Sequence, residues 1–263
     1  MTSATVPGTM STRVSVMRVT TAVRRFAPWR SFGGVATGAD WRAELSARAP
    51  ADWPAYLDAN SGLPGPRANL TLVQAVAIAA DAEAIEVLLA DGGEYAVLCA
   101  AAAIGARADE AAREPAARAL AVDERWRVRE GVALGLQLLG DRDPAGLIEI
   151  VRRWVDDPDP LVERAAVAAI CEPRLLRSPD AAAAAIEVCR RATRNLVALP
   201  PERRKRADAR TLRQALGYCW SVAVAADPAA GLDVFLALDA SDPDVAWIVD
   251  QNRRKKRLAS LLP

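Results

Sequence analysis

Residues 123–170 read DERWRVREGVALGLQLLGDRDPAGLIEIVRRWVDDPDPLVERAAVAAI, and one apolar pattern occurs in them twice. Val128, Gly131, Val132, Gly135, Leu136 and Leu139 recur at the spacing that gathers side chains on one face of a helix. Val162, Ala165, Ala166, Ala169 and Ile170 repeat that face roughly 34 residues later. Between the two copies Leu147, Ile150, Val151 and Trp154 form a stripe of their own, so the unit predicts a hairpin of two helices. Its junctions carry Asp143-Pro144, Asp157-Pro158 and Asp159-Pro160. An Asp can cap the exposed first amides of a helix, and a Pro at the first helical position gives up no hydrogen bond.

The same face returns on both sides. Val97, Ala100, Ala101, Ile104 and Gly105 precede it, and Leu212, Ala215, Leu216, Cys219, Trp220 and Ala223 follow it. Weaker copies begin at Val73 and Val245, Leu232, Phe235 and Leu236 give another partner stripe, and Asp227-Pro228 and Asp242-Pro243 mark further junctions. No sustained period-two alternation interrupts the series, so the fold is expected to be all-α. A period of about 30 to 40 residues holding two helices is that of a helical solenoid, because one hairpin cannot bury its apolar face without neighbours. The chain length predicts a right-handed α-solenoid of about five to six hairpins. The copies at Val162 and Leu212 lie about 50 residues apart. The extra length is assigned to a loop around residues 198–209.

These residues resemble the HEAT-repeat family over roughly residues 70–258. The resemblance implies an interrepeat ladder in which Arg129 and Arg213 pair with Asp159 and Asp242. A weaker resemblance is to the HEAT-like branch of DNA alkylation-repair glycosylases, which places a catalytic carboxylate beside tryptophans on a concave face. Trp126 and Glu130, one turn apart, are the nearest echo here, and the doubled tryptophan and aspartate motif of that branch is missing.

The 263 residues have a formal net charge of +1, 52% apolar residues and no histidine. The missing imidazole removes the commonest general base at neutral pH and every Ser-His or Cys-His pair. No P-loop, GxSxG elbow or paired-Cys metal spacing occurs, so neither cofactor nor metal is expected. Cys99, Cys171, Cys189 and Cys219 are scattered through apolar stretches and read as buried small hydrophobes, which suits a reducing cytoplasm. No apolar run reaches the roughly 18 residues of a membrane span.

Residues 1–39 hold Arg13, Arg18, Arg24, Arg25 and Arg30 and no acid, and read as a flexible basic arm. Residues 40–263 then form one solenoid domain. Residues 40–69, with Trp41, Trp53, Tyr56 and the turn Gly62-Leu63-Pro64-Gly65-Pro66, are its irregular N-terminal cap.

Side chains offset from the apolar face point away from neighbouring helices. That offset selects Glu130, Gln137, Arg164, Gln214, Tyr218, Ser221, Trp247, Gln251 and Arg254 as a polar and aromatic strip on the concave side. In the earlier copies it selects Ala75, Ile78, Cys99 and Ala102, an apolar end expected to be covered. Trp, Tyr and Arg anchor many interfaces, so a protein or peptide partner is expected and the chain reads as a non-enzymatic scaffold. Two basic runs, Arg203, Arg204, Lys205 and Arg206, and Arg253, Arg254, Lys255, Lys256 and Arg257, are the candidates for an anion-binding edge that would contact nucleic acid.

Overall fold

The structure is a computed structural model, and it describes Met1 and residues 36–262. The expected basic arm therefore lies almost wholly outside the described residues. Its last two positions instead open helix α1 (Gly38–Ser46). Thr37 caps that helix: its hydroxyl accepts from the Asp40 amide, and the Asp40 carboxylate accepts from the Thr37 amide at 2.7 Å. The helical domain thus begins slightly ahead of residue 40.

Fifteen α-helices and no strand occur among the described residues. After α1 come a 3-10 turn at Pro50–Asp52, α2 (Trp53–Asn60), α3 (Leu70–Ala79), α4 (Ala82–Asp91), α5 (Glu94–Gly105) and α6 (Glu114–Ala121). The middle is α7 (Trp126–Arg142), α8 (Pro144–Trp154), α9 (Pro160–Ile170) and α10 (Pro179–Ala198). The rest is α11 (Pro201–Arg204), α12 (Ala207–Ala226), α13 (Pro228–Leu236), α14 (Pro243–Arg253) and α15 (Lys256–Ala259). The junction chemistry is as expected at four of five Asp-Pro pairs. Asp143, Asp159, Asp227 and Asp242 each accept from an amide of the helix that their Pro begins, a contribution of roughly 1 kcal/mol apiece. Asp157 caps no helix; both its oxygens bind Arg118, at 2.6 and 2.8 Å.

α3 packs against α1 and α5, α5 against α7, α7 against α9, α9 against α12, and α12 against α14. All of these except α1 carry the copies starting at Val73, Val97, Val128, Val162, Leu212 and Val245. The helices between them pack alongside: α4 on α5, α6 on α5 and α7, α8 on α7 and α9, α10 on α9 and α12, and α13 on α12. The closest approach in the series is between α5 and α7. A Cβ on Gly131 would lie 2.6 Å from the Leu98 carbonyl oxygen, and one on Gly105 would lie 2.8 Å from that of Val132. Glycines that the sequence pattern counts as apolar are therefore spacers that let two backbones touch.

The extra length between the copies at Val162 and Leu212 is not a loop. It goes into α10 and α12, 20 residues each, and into the short α11 between them. Arg204 fastens that connection, donating to the Val197 carbonyl, to the Leu199 carbonyl at 2.9 Å and to Asp242 at 2.5 Å. In the cap, Trp53 and Leu57 are buried and Trp41 meets Tyr56 edge-on. Ala75, Cys99 and Ala102 are covered as expected, whereas Ile78 is exposed.

All four cysteines are buried. Scattered in sequence, two of them meet in space, with Cys171 Sγ 3.6 Å from Cys189 Sγ. Cys171 lies at the C-cap of α9 rather than inside a helix. Burial pushes the Cys99 and Cys189 thiols up, and hydrogen bonding to neighbouring thiols together with burial does the same to Cys171 and Cys219.

Candidate functional site

The predicted strip runs along α7, α9, α12 and α14, and most of it is tied from one helix to the next. Arg164 on α9 reaches Glu130 on α7 in an ion pair in which the guanidinium is nearly buried. Gln137 donates to the Ala168 carbonyl at 3.0 Å. Arg213 on α12 pairs with Asp244 of α14 at 2.7 Å and lies over the Trp247 ring, 4.8 Å from its centroid. Trp247 and Gln251 close on Gly217, whose missing side chain leaves room for the indole. Arg257 donates to the Tyr218 hydroxyl at 2.9 Å, and Lys255 approaches the same ring.

Two members of the strip are not on an open face. Ser221 is fully buried, because Asn252 of α14 docks on that turn of α12 and accepts from the Ser221 amide at 2.8 Å. Arg164 is buried because its long side chain runs back along α7 instead of out into water. Gln214 and Arg254 are exposed, Arg254 beside Asp250, and Glu130 is about a third exposed at its side chain.

Trp126 stands apart. It opens α7 with 46% of its surface exposed, and the Arg127 guanidinium lies 4.6 Å from its ring centroid. Arg127 in turn pairs with Glu94 at the start of α5, at 2.9 Å. A shallow hollow lined by Asp58, Leu63, Pro64, Glu94 and Arg127 adjoins this pair. Trp126 and Glu130 thus share one helix face a turn apart. The structure holds that aromatic and carboxylate on a rigid helix, the acid already engaged by Arg164.

Several members of the two basic runs are paired with acids. Arg203 pairs with Asp208, Arg204 with Asp242 and Asp244, Lys205 with Glu202, and Arg254 with Asp250. Lys255 and Arg257 turn to Tyr218. The second run does not close a single helix either, since α14 ends at Arg253 and α15 begins at Lys256. Arg206, Arg253 and Lys256 are the exposed cations that remain. Alternation of acids with the arginines in space neutralises what looks like a charge block in sequence.

The expected ladder also changes partners. Arg129 donates to the Asp123 and Glu124 carbonyls, at 2.5 and 2.9 Å, rather than to Asp159. Arg213 takes Asp244, which leaves Asp242 to Arg204. Residues the sequence reading passed over carry much of the strip: Glu94, Arg127, Asp244 and Asn252. A signal for some of them was available in opposite charges about 33 residues apart. Glu94 and Arg127 are separated by 33 residues, as are Asp141 and Arg174, which pair at 3.0 Å.

No group of three or more Cys, Asp or Glu side chains among the described residues is placed to hold a metal ion, and no described helix is long and apolar enough to cross a membrane. The described residues form an all-helical protein with a cross-linked polar face and a half-exposed indole at Trp126. No family model, curated protein or solved structure matches the chain.

Proposed function

We propose that the chain is a HEAT-like, right-handed α-solenoid of about five to six hairpins that acts as a cytoplasmic, non-enzymatic scaffold. A protein or peptide partner lies along the face of α7, α9, α12 and α14. Polar contacts that recur at 31 to 36 residues support the repeat: Gln137 to Ala168, Arg127 to Glu94, Arg164 to Glu130, Arg191 to Asp156 and Asn252 to Leu216. The observation that carries the binding role is Trp126, an indole 46% exposed at a helix start, flanked by Arg127 and followed by Glu130. Aromatic and arginine side chains held rigidly in the free protein lose little entropy on binding and dominate interface energies.

A photo-crosslinking residue placed at 126 or 214 tests this. A single adduct from both positions, absent when the same residue replaces the exposed Arg190 on α10, is the expected result. Adducts of equal yield from all three positions would sink the proposal.

A second reading, nucleic-acid binding related to the HEAT-like alkylpurine DNA glycosylases, is favoured by one observation. Trp126 and Glu130 lie on one helix face a turn apart, an aromatic plate on which an extruded base could stack beside an acid. A salt gradient on immobilised DNA separates the two. Retention beyond physiological salt supports nucleic acid, and elution at low salt supports the scaffold.

A further inference from the structure

Glu163 occupies the same register on α9 as Arg129 on α7 and Arg213 on α12. Both arginines donate, to turn carbonyls and to Asp244 respectively. Glu163 has an acid where its neighbours have a guanidinium, and it is 4% exposed. Asp157 and Asp159, on the turn ahead of its own helix, add a negative field that disfavours its ionised form. From α10 it meets Asn195, whose amide nitrogen is 3.4 Å from Glu163 Oε2 and 2.8 Å from the Val155 carbonyl oxygen. The nearby cations are committed elsewhere. Arg118 of α6 binds Asp157, Arg153 of α8 binds Glu114, and Arg191 of α10 binds Asp156 and Glu187. On α7 and α12, Arg129 and Arg213 have the partners given above.

We propose that Glu163 makes the junction of α8, α9 and α10 a proton-controlled joint, closed while its carboxyl keeps the proton and loosened when that proton passes to water. Ionised, the buried group would have one weak amide donor and the added negative field of Asp157 and Asp159, so water must enter to solvate it. Entry separates Asn195 from Val155 and frees the end of α10 from α8. Burial, opposed by the Asn195 hydrogen bond and reinforced by Asp157 and Asp159, pushes the carboxyl up to about 8. The sign follows from a folded value above the unfolded 4.5: the group's stabilising contribution is complete below that lower value and is lost as pH rises through about 8.

Hydrogen exchange of the full chain, corrected for intrinsic rate and compared at about pH 6.5 and about pH 9, reads the joint directly. The expected result is a roughly tenfold rise in opening of residues 155–163 and 188–198, with α3 and α5 unchanged and no rise in Glu163→Gln. An equal rise in the variant, or a uniform rise over all helices, overturns the proposal. Should Glu163→Gln fail to fold, carbon-detected titration of the glutamate carboxyls in the unaltered protein decides. One midpoint near 8 is expected, and all midpoints near 4.5 would refute it. Calcium or magnesium that restores protection at alkaline pH in the unaltered protein would reassign the three acids to a cation and also overturn it.

Discussion

The side-chain oxygen of Asn252 accepts the backbone amide of Ser221 at 2.8 Å, while its nitrogen donates to the Leu216 and Ile248 carbonyls, each at 2.8 Å. One buried amide thereby joins α14 to the middle of α12, and this contact removes Ser221 from the surface. Replacing Asn252 with Leu leaves those groups without their partner. A buried polar group stripped in this way costs about 1–3 kcal/mol, so the denaturant midpoint should fall with an unchanged slope. A neutral Asn252→Leu would show that the contact contributes nothing.

The glycines between α5 and α7 give a sharper test of packing. Gly131→Ala would put a methyl 2.6 Å from the Leu98 carbonyl oxygen, where backbone rather than a flexible side chain must yield. Overpacking of this kind costs roughly 1–3 kcal/mol. Gly92→Ala differs in cause, having space around it but a φ of 75°, so its penalty comes from backbone strain of roughly 1 kcal/mol. Thermal melts of both variants should show Gly131→Ala as the more damaging.

Trp126 and Trp247 should part company on truncation. Trp247 packs on Gly217 beneath Arg213 and is partly buried, so Trp247→Ala lowers stability by roughly 1–3 kcal/mol, less than the cost of removing a fully buried aromatic. Trp126→Ala should leave the melting temperature within a degree or two and abolish the crosslink from position 214. Loss of stability in the Trp126 variant would place that indole in the core.

Asp242 sets a pH dependence opposite in sign to that of Glu163. Burial alone would raise its carboxyl, but the Arg204 guanidinium and the amides of Val245 and Asp244 outweigh that and hold it below its ordinary value of 3.8. A depressed folded value stabilises above the unfolded one and is lost as pH falls through it. Asp242→Asn should therefore flatten the acid limb of the stability curve below about pH 4. An acid limb identical to that of the unaltered protein would contradict this assignment.

The thiols should be silent in the folded state. Burial disfavours the thiolate at all four sites, so reaction with a thiol reagent at about pH 8 should proceed at the rate of unfolding. A fast phase of even one thiol per chain would mean that a cysteine is accessible.

The helices that carry the repeated face, and four of the five starts marked by Asp-Pro, were legible in the sequence because each is set locally. The stripe at Val128 to Leu139 can be buried in only one way on a helix, and Asp143 before Pro144 marks a start wherever the hairpin lies. That Gly131 and Gly135 are contact points rather than weak helix positions was not legible, since a glycine carries no sign of what approaches it.

For the strip, helical offset correctly put Gln214 and Arg254 outside. It failed for Arg164 and Ser221, because the offset fixes where a Cβ points and not where a long side chain or a neighbouring helix ends up. Likewise the run Arg203 to Arg206 has acids on either side of it in sequence, Glu202 and Asp208, while Asp242 and Asp244 reach Arg204 only through folding. Local periodicity and capping chemistry determined the all-helical series from sequence alone. Only the tertiary structure decided which charges are neutralised and which acid, Glu163, is left facing other acids, because side-chain pairing depends on distances between residues a repeat apart.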